Sequence, residues 1–298
     1  MYPDNERISN IRSAGTDKLV RLPDGTMVPG LGQGTWFVGD DPSRRQQEIA
    51  SLRLGIELGM TLIDTAEMYG DGRAESLVGE AIRGVRDRVF LVSKVYPHNS
   101  GRGRIEKSCE NSLRRLKTDR LDLYLLHWRG SVPLGETVEG LERLVQQGKI
   151  ARWGVSNFDT DDMKELFGQA KGTGCATNQV LYHLGSRGIE YDLLPWQRQH
   201  RMPIMAYCPL AQAGSLRRGL VEHAAVQQVA ERHNATTFQV LLAWCIRSRD
   251  VIAIPKAAEQ RHVLENAEAI KLQLTEDDLA MLDGAFPAPR RKIPLDIV

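Results

Sequence analysis

The chain carries no excess of charge. Its 39 basic and 38 acidic residues leave a net +1 at neutral pH, so nothing marks it electrostatically for nucleic acid or an acidic membrane surface. Basic clusters such as Arg217 with Arg218, and Arg290 to Lys292, read as solvated surface. Cysteine is scarce, and Cys109, Cys175, Cys208 and Cys245 show no CxxC spacing. That argues against a disulfide framework and leaves buried thiols in a reducing cytosol as the expectation. The 7 histidines show no His-x-His after a strand and no other ligand spacing, so no metal is expected. No apolar run is long enough to span a bilayer, and the stretch MYPDNERISNIRSAGTDK has no apolar signal core. Neither an internal repeat nor a linker is visible. These absences leave a soluble, cytoplasmic, single-domain protein, with nothing that sets an oligomeric state.

Seven short β-rich runs each stop at a polar residue able to do chemistry. They are TLID at Asp64, VFLVSK at Lys94, LDLYLLH at His127 and RWGVSN at Asn157, then CATNQ at Gln179, PIMAY at Tyr207 and VIAIPK at Lys256. Helical stretches separate most of them, a rhythm that predicts parallel strands joined by helical crossovers. At this length a single barrel is accommodated. The expected fold class is α/β, a (β/α)8 TIM barrel. GLGQG at 30–34 supplies the first barrel strand, and the others are expected at 61–64, 89–94, 121–127, 152–156, 175–179, 203–207 and 251–254. LVRLPDGTMV alternates around Pro23-Asp24-Gly25, a hairpin signal placed to close the barrel bottom. Residues 1–17, polar and small, read as a flexible tail ahead of a barrel domain spanning 18–298. AQAGSLRRG, after the seventh strand, reads as a loop. A doubly wound sheet fits less well, because Trp36, Phe37 and Gly39 follow GLGQG where a dinucleotide fingerprint needs a helix.

In such a barrel the C-terminal strand ends converge on one mouth. Tyr69 lies five residues past Asp64 in the loop after the second strand. A phenol titrates near pH 10 and is a poor acid at neutrality unless its anion is stabilised. Lys94, ending the adjacent strand, has the charge to do so, and Asp64 can hold that charge in place. His127, one strand further, can donate a hydrogen bond to a substrate oxygen. The set suits protonation of a carbonyl oxygen while a hydride reaches its carbon. Singly, each residue has a structural explanation: a loop cap, a surface charge, a core histidine, a packed ring. Their occurrence in order on consecutive strands favours the site.

These residues resemble the aldo-keto reductases, from about Val28 to the C-terminus. IDTAEMYG is similar to the family's Asp-and-Tyr segment, VFLVSK to its lysine strand and LDLYLLHW to its histidine strand, with GKIARWGVSNF and IPK also characteristic. The resemblance implies a tetrad of Asp64, Tyr69, Lys94 and His127, with Tyr69 as general acid. It also implies NADP(H) as cofactor, with NAD(H) possible. Ser156, Asn157 and Gln179 would hold the nicotinamide carboxamide, and Tyr207 would stack on its ring. Thr35 and Asp64 would lie near the nicotinamide ribose, and Trp36 and His262 would also belong to the cofactor site. Leu210 and Ala211 would begin the loop beside the pyrophosphate, Lys256 would bind the 2′-phosphate, and Asn266 would touch adenine.

The chain departs from the family pattern in three places. Cys208 replaces the serine that commonly follows the stacking tyrosine, and Ala257 follows Lys256 where many relatives have serine. His262 stands where an arginine usually clamps the phosphate, with Arg261 one residue earlier. A phosphate favours a forked, permanently charged guanidinium over a partly neutral imidazole. Trp36 and Trp128, just beyond strand ends, are placed to wall a substrate pocket. The short loop after His127 and the short tail after Phe286 imply an open pocket for small carbonyl compounds. The pattern is most similar to bacterial reductases of methylglyoxal and aromatic aldehydes. The alternative is a cofactor-binding regulatory subunit of the same fold with little turnover of its own.

Overall fold

Alternation of side chains along the strands sorts the apolar residues into two cores. In a computed structural model, which describes residues 2–211 and 215–298, the chain begins with helix α1 (Asn5–Thr16). The antiparallel hairpin β1 (Leu19–Arg21) and β2 (Met27–Pro29) follows. Next come eight parallel strands: β3 (Gln33–Gly34), β4 (Leu62–Asp64), β5 (Phe90–Val95) and β6 (Leu123–Leu126), then β7 (Trp153–Ser156), β8 (Asn178–Leu181), β9 (Ile204–Tyr207) and β10 (Val251–Ala253). They pair in chain order. Bridges from Leu31 to Ala253 and from Gly34 to Lys256 bring the first and last strands together. The (β/α)8 expectation holds.

Leu62, Val92, Leu123, Leu125, Met205 and Ile252 fill the lumen, and Val20, Leu22 and Val28 of the hairpin join that cluster from below. Arg152, at the foot of β7, ties the hairpin turn down by donating to Asp24 (3.0 Å) and Thr26 (3.1 Å). The alternate residues, Ile63, Leu91, Tyr124, Leu126 and Ile204 among them, face outward into the larger cluster shared with the helices. One step of two beyond the lumen-facing residues carries the inward face to Asp64, Lys94, His127 and Tyr207. Period two therefore delivers the polar set to the upper lumen.

The crossovers include α2 (Arg45–Glu57), α3 (Arg73–Ala81), α4 (Arg104–Leu116), α5 (Leu134–Gln146), α6 (Thr160–Phe167) and α7 (Leu193–Gln199). After β9 come α8 (Ser215–Val221), α9 (Ala224–Arg232) and α10 (Thr237–Cys245); α11 (Gln260–Glu268) and α12 (Glu276–Ala285) follow β10. Asp159 caps α6 in a capping box. Among the described residues no helix is long and apolar enough to cross a membrane.

Three elements differ from expectation. Residues 5–16 are not a loose tail. They form α1, capped by the Asp4 side chain, with Ile11 1% exposed and Arg7 paired to Glu268 at 2.6 Å. The groove that receives this helix is built by residues near 270, so no local pattern announces it. The sixth barrel strand runs 178–181 rather than 175–179. Gln179 is polar yet buried, and bonded across the lumen, so its polarity does not mark a strand end. Within the expected loop 211–219, α8 begins at Ser215, and residues 212–214 lie outside the described residues.

Candidate active site

Lys94 is fully buried and organises the mouth of the barrel. Its ammonium donates to Asp64 Oδ2 (2.7 Å), the Thr65 carbonyl (2.9 Å) and Tyr69 Oη (3.0 Å). An ammonium has three N–H bonds, and all three are used. Tyr69 therefore accepts from Lys94, and its own proton is left to point elsewhere. The turn that presents the phenol is tight, since Gly70, Asp71 and Gly72, immediately after it, all have positive φ. Glu67 pins the same loop to β5 by accepting from the Tyr96 backbone N–H at 2.7 Å. The His127 ring lies edge-on to Tyr69, with centroids 5.8 Å apart. The structure thus brings Asp64, Tyr69, Lys94 and His127 together.

Burial sets the charge states. It raises the Asp64 carboxyl, opposed by Lys94 and Gln179, and lowers the Lys94 ammonium, opposed by Asp64. Burial and then the Asp64 charge push Tyr69 well above its ordinary range, so the phenol keeps its proton. Burial and then the Lys94 charge pull His127 down to about 2, so the imidazole is neutral. His127 Nδ1 is buried without a partner. Orphaned buried N–H groups are rarer than orphaned acceptors, which favours the tautomer protonated on Nε2.

Beside the tetrad lies an amide cluster. Gln179 Nε2 donates to the free oxygen of Asp64 (2.7 Å), linking cluster to tetrad. Ser156 Oγ donates to the Gln179 carbonyl (2.9 Å), and Asn157 Nδ2 to the His127 carbonyl (3.2 Å). Tyr207 Oη donates to Asn157 Oδ1 (2.8 Å). Thr35 Oγ1 donates to the Asp64 carbonyl (2.9 Å). Asn157 and Cys208 both hold left-handed backbone (φ 59° and 49°), uncommon for non-glycine residues and concentrated at functional sites. Cys208 is not among the buried cysteines; it lines the cavity, and burial of its thiol raises it to about 11.

One cavity of about 830 Å³ runs from the tetrad past the amides to Lys256 and His262. Leu210 and Ala211 line it, and Arg217 seals that wall by donating to both their carbonyls (3.2 and 2.9 Å). Arg217 is therefore not the solvated surface residue expected. Asn266 stands apart: 5% exposed on α11, it is not among the residues lining the cavity. At the open side Trp36 stacks on Phe37 (4.6 Å), and Trp128 meets His127 at 4.9 Å. Ile297 and Val298 also line the cavity. The short tail thus reaches the mouth instead of leaving it open.

Sequence reasoning missed Phe37, Arg44, Arg217 and the last two residues as cavity walls. Phe37 and Arg44 carried no signal beyond their nearness to Trp36. Arg217 and the tail are brought in by segments that follow their strands at a distance.

The description of the aldo/keto reductase family matches residues 30–286. Methylglyoxal reductase YeaE of Escherichia coli is 59% identical over 281 residues, which cover 94% of this chain and 99% of that protein. Glyoxal reductase of Bacillus subtilis is 32% identical over 89% of this chain and 91% of its own length. The fold superposes with a TM-score of 0.92 on the crystal structure of aldo/keto reductase from Klebsiella pneumoniae in complex with NADP and acetate. That protein is 59% identical, with 94% of this chain and 99% of that one covered. With strands, lumen and mouth arranged as described and the match spanning nearly its whole length, the chain belongs to the aldo/keto reductase family.

Proposed function

We propose that this chain is an NADP(H)-dependent reductase of small aldehydes and ketones, methylglyoxal-like or aromatic, with Tyr69 as general acid. The observation that carries the reading is the saturated Lys94, a fixed positive charge that donates to the oxygen of a phenol kept protonated by burial and so stands ready to stabilise its anion. The donor set of the cavity fits the cofactor: amides with both donor and acceptor, an aromatic face at Tyr207, and a cation at Lys256. Ser156, Asn157 and Gln179 would hold the carboxamide, Thr35 and Trp36 would flank the adjoining ribose, and Lys256 would meet the 2′-phosphate. When bound, the reduced nicotinamide supplies the hydride.

The chain's own groups handle the oxygen. His127 Nε2 donates to the substrate carbonyl oxygen and fixes its position. Tyr69 gives that oxygen its proton, and the tyrosinate left behind sits 3.0 Å from Lys94 Nζ. The cation costs no reorganisation at that moment because Asp64 already holds it. Trp36, Trp128, Ile297 and Val298 bound a mouth suited to compact carbonyl compounds. The kinship with reductases named for methylglyoxal and glyoxal supports this substrate class.

The test is Tyr69→Phe, assayed by NADPH oxidation with methylglyoxal and by NADPH titration. Turnover should fall by roughly 10²-fold or more, the usual consequence of losing a general acid, with NADPH binding retained. Near-normal turnover would overturn the mechanism. A keto-steroid or open-chain sugar with a higher kcat/KM than methylglyoxal in the wild type would overturn the substrate class.

A further inference from the structure

At the end of the cavity remote from the tetrad, one cation stands loosely held. Arg44 ends the short turn Pro42–Arg44 and leads into α2, and it lines the cavity with Lys256, Glu259 and His262. The turn is fixed from before by Asp41, which accepts from Ser43 N (2.9 Å) and Ser43 Oγ (2.7 Å). It is fixed from behind by Gln47, whose Nε2 donates to the Ala258 carbonyl (3.2 Å). The backbone of Arg44 is therefore held opposite the segment after β10, while its side chain is 41% exposed. Among the described residues its ionic partner is Glu259, at 3.8 Å. Glu259 already accepts a 2.8 Å bond from Arg261, so little holds the Arg44 guanidinium.

We propose that Arg44 reads the 2′-phosphate of NADP(H), together with Lys256, and supplies the guanidinium that His262 lacks. The inference rests on the reading of this cavity as an NADP(H) site. A phosphate monoester carries close to two negative charges at neutral pH. Lys256 provides one compensating charge, and the imidazole at position 262 lacks the forked pair of donors that a guanidinium offers a phosphate. Arg44 provides the second charge in a forked form that engages two phosphate oxygens at once. Arg44 and Lys256 repel each other across the cavity end: burial lowers the Lys256 ammonium first, Glu48 opposes that, and the Arg44 charge adds to the lowering. A dianion between them relieves that repulsion. The specificity for phosphorylated over unphosphorylated cofactor then comes partly from the loop after the first barrel strand rather than wholly from α11.

The test is calorimetric titration of wild type, Arg44→Gln and Arg44→Lys with NADPH, NADH, 2′,5′-ADP and 5′-ADP. Arg44→Gln should weaken NADPH and 2′,5′-ADP by roughly 10-fold or more and leave NADH and 5′-ADP within about twofold. Arg44→Lys, which keeps the charge without the fork, should fall between. His262→Arg placed in the Arg44→Gln background should restore much of the loss. Equal weakening of all four ligands would overturn the proposal and put Arg44 on the pyrophosphate. No weakening of any would overturn it by leaving Arg44 with Glu259. If the wild type itself does not separate 2′,5′-ADP from 5′-ADP, the NADP(H) reading falls and this proposal with it.

Discussion

Lys94 donates to three oxygens with three N–H bonds, and that saturation orders every other group in the site. It orients Tyr69 as acceptor, anchors Asp64 as counter-ion and adds to the burial that keeps His127 uncharged. His127 is the residue whose charge state decides most. Its folded value lies near 2 against an ordinary 6.5, so the ring does not titrate at any working pH. Two consequences follow from the sign. First, the pH profile of kcat/KM for reduction should show no imidazole limb near pH 6.5. His127→Gln, a donor that cannot titrate, should lower the profile by about 10-fold or more without changing its shape. A wild-type limb near pH 6.5 that disappears in the variant would mean an imidazolium at work. Second, below pH 6.5 the unfolded chain binds a proton that the folded chain refuses. Stability should therefore fall as pH drops from 6.5, by about 1.4 kcal/mol per pH unit from this ring. Denaturant melts at pH 5 and 7.5 should show a shallower fall in His127→Gln.

At the scale of elements, strands position the tetrad and irregular segments enclose it. The tail after α12 is pinned at several points. Lys292 reaches Asp161 (3.2 Å), Asp192 (3.5 Å) and Asp159 (3.9 Å), Leu295 packs on the outer core, and Asp296 accepts from Ser186. Only beyond these points do Ile297 and Val298 meet the cavity. Removing the last two residues should leave the melting temperature nearly unchanged, because the anchors remain. KM for an aromatic aldehyde should rise by about fivefold, equivalent to ~1 kcal/mol of lost apolar contact, with kcat little altered, the pattern of uniform binding lost. Steady-state kinetics decide it, and an unchanged KM would remove the tail from the substrate pocket. Elements were unequally legible. α6 is capped by Asp159, a signal carried by neighbouring residues, whereas α1 needed a groove some 250 residues away. The end of β8 was hidden because Gln179 satisfies its polarity across the lumen, on Asp64.

At the scale of the whole molecule, the barrel closes where the backbone leaves no room. A Cβ on Gly34 would stand 2.7 Å from the carbonyl oxygen of Ile254, just beyond the last strand. Neither backbone can yield without opening the circle that fixes the mouth. Gly34→Ala should cost about 1–3 kcal/mol in a denaturant melt, as overpacking does. Gly284, in α12 with nothing within 4 Å of its would-be Cβ, is the matched control, and Gly284→Ala should stabilise by up to about 1 kcal/mol through helix propensity. Equal effects of the two would show that closure is not tight at Gly34.

Pattern alone carried the order of strands and helices, the hairpin under the barrel and the lumen-facing identity of Asp64, Lys94, His127 and Tyr207. These rest on period two and on local turn and capping chemistry, which are properties of neighbouring residues. Tertiary structure alone decided which charges face the cavity. Arg44 and Arg217 look in sequence like any solvated arginine, and become cavity walls only because α2 packs against α11 and because α8 follows β9. It also decided that His127 is neutral and Tyr69 protonated, since desolvation depends on atoms contributed by several strands at once. The docking of α1 and of the last two residues was decided in the same way, by surfaces that exist only once the barrel has closed.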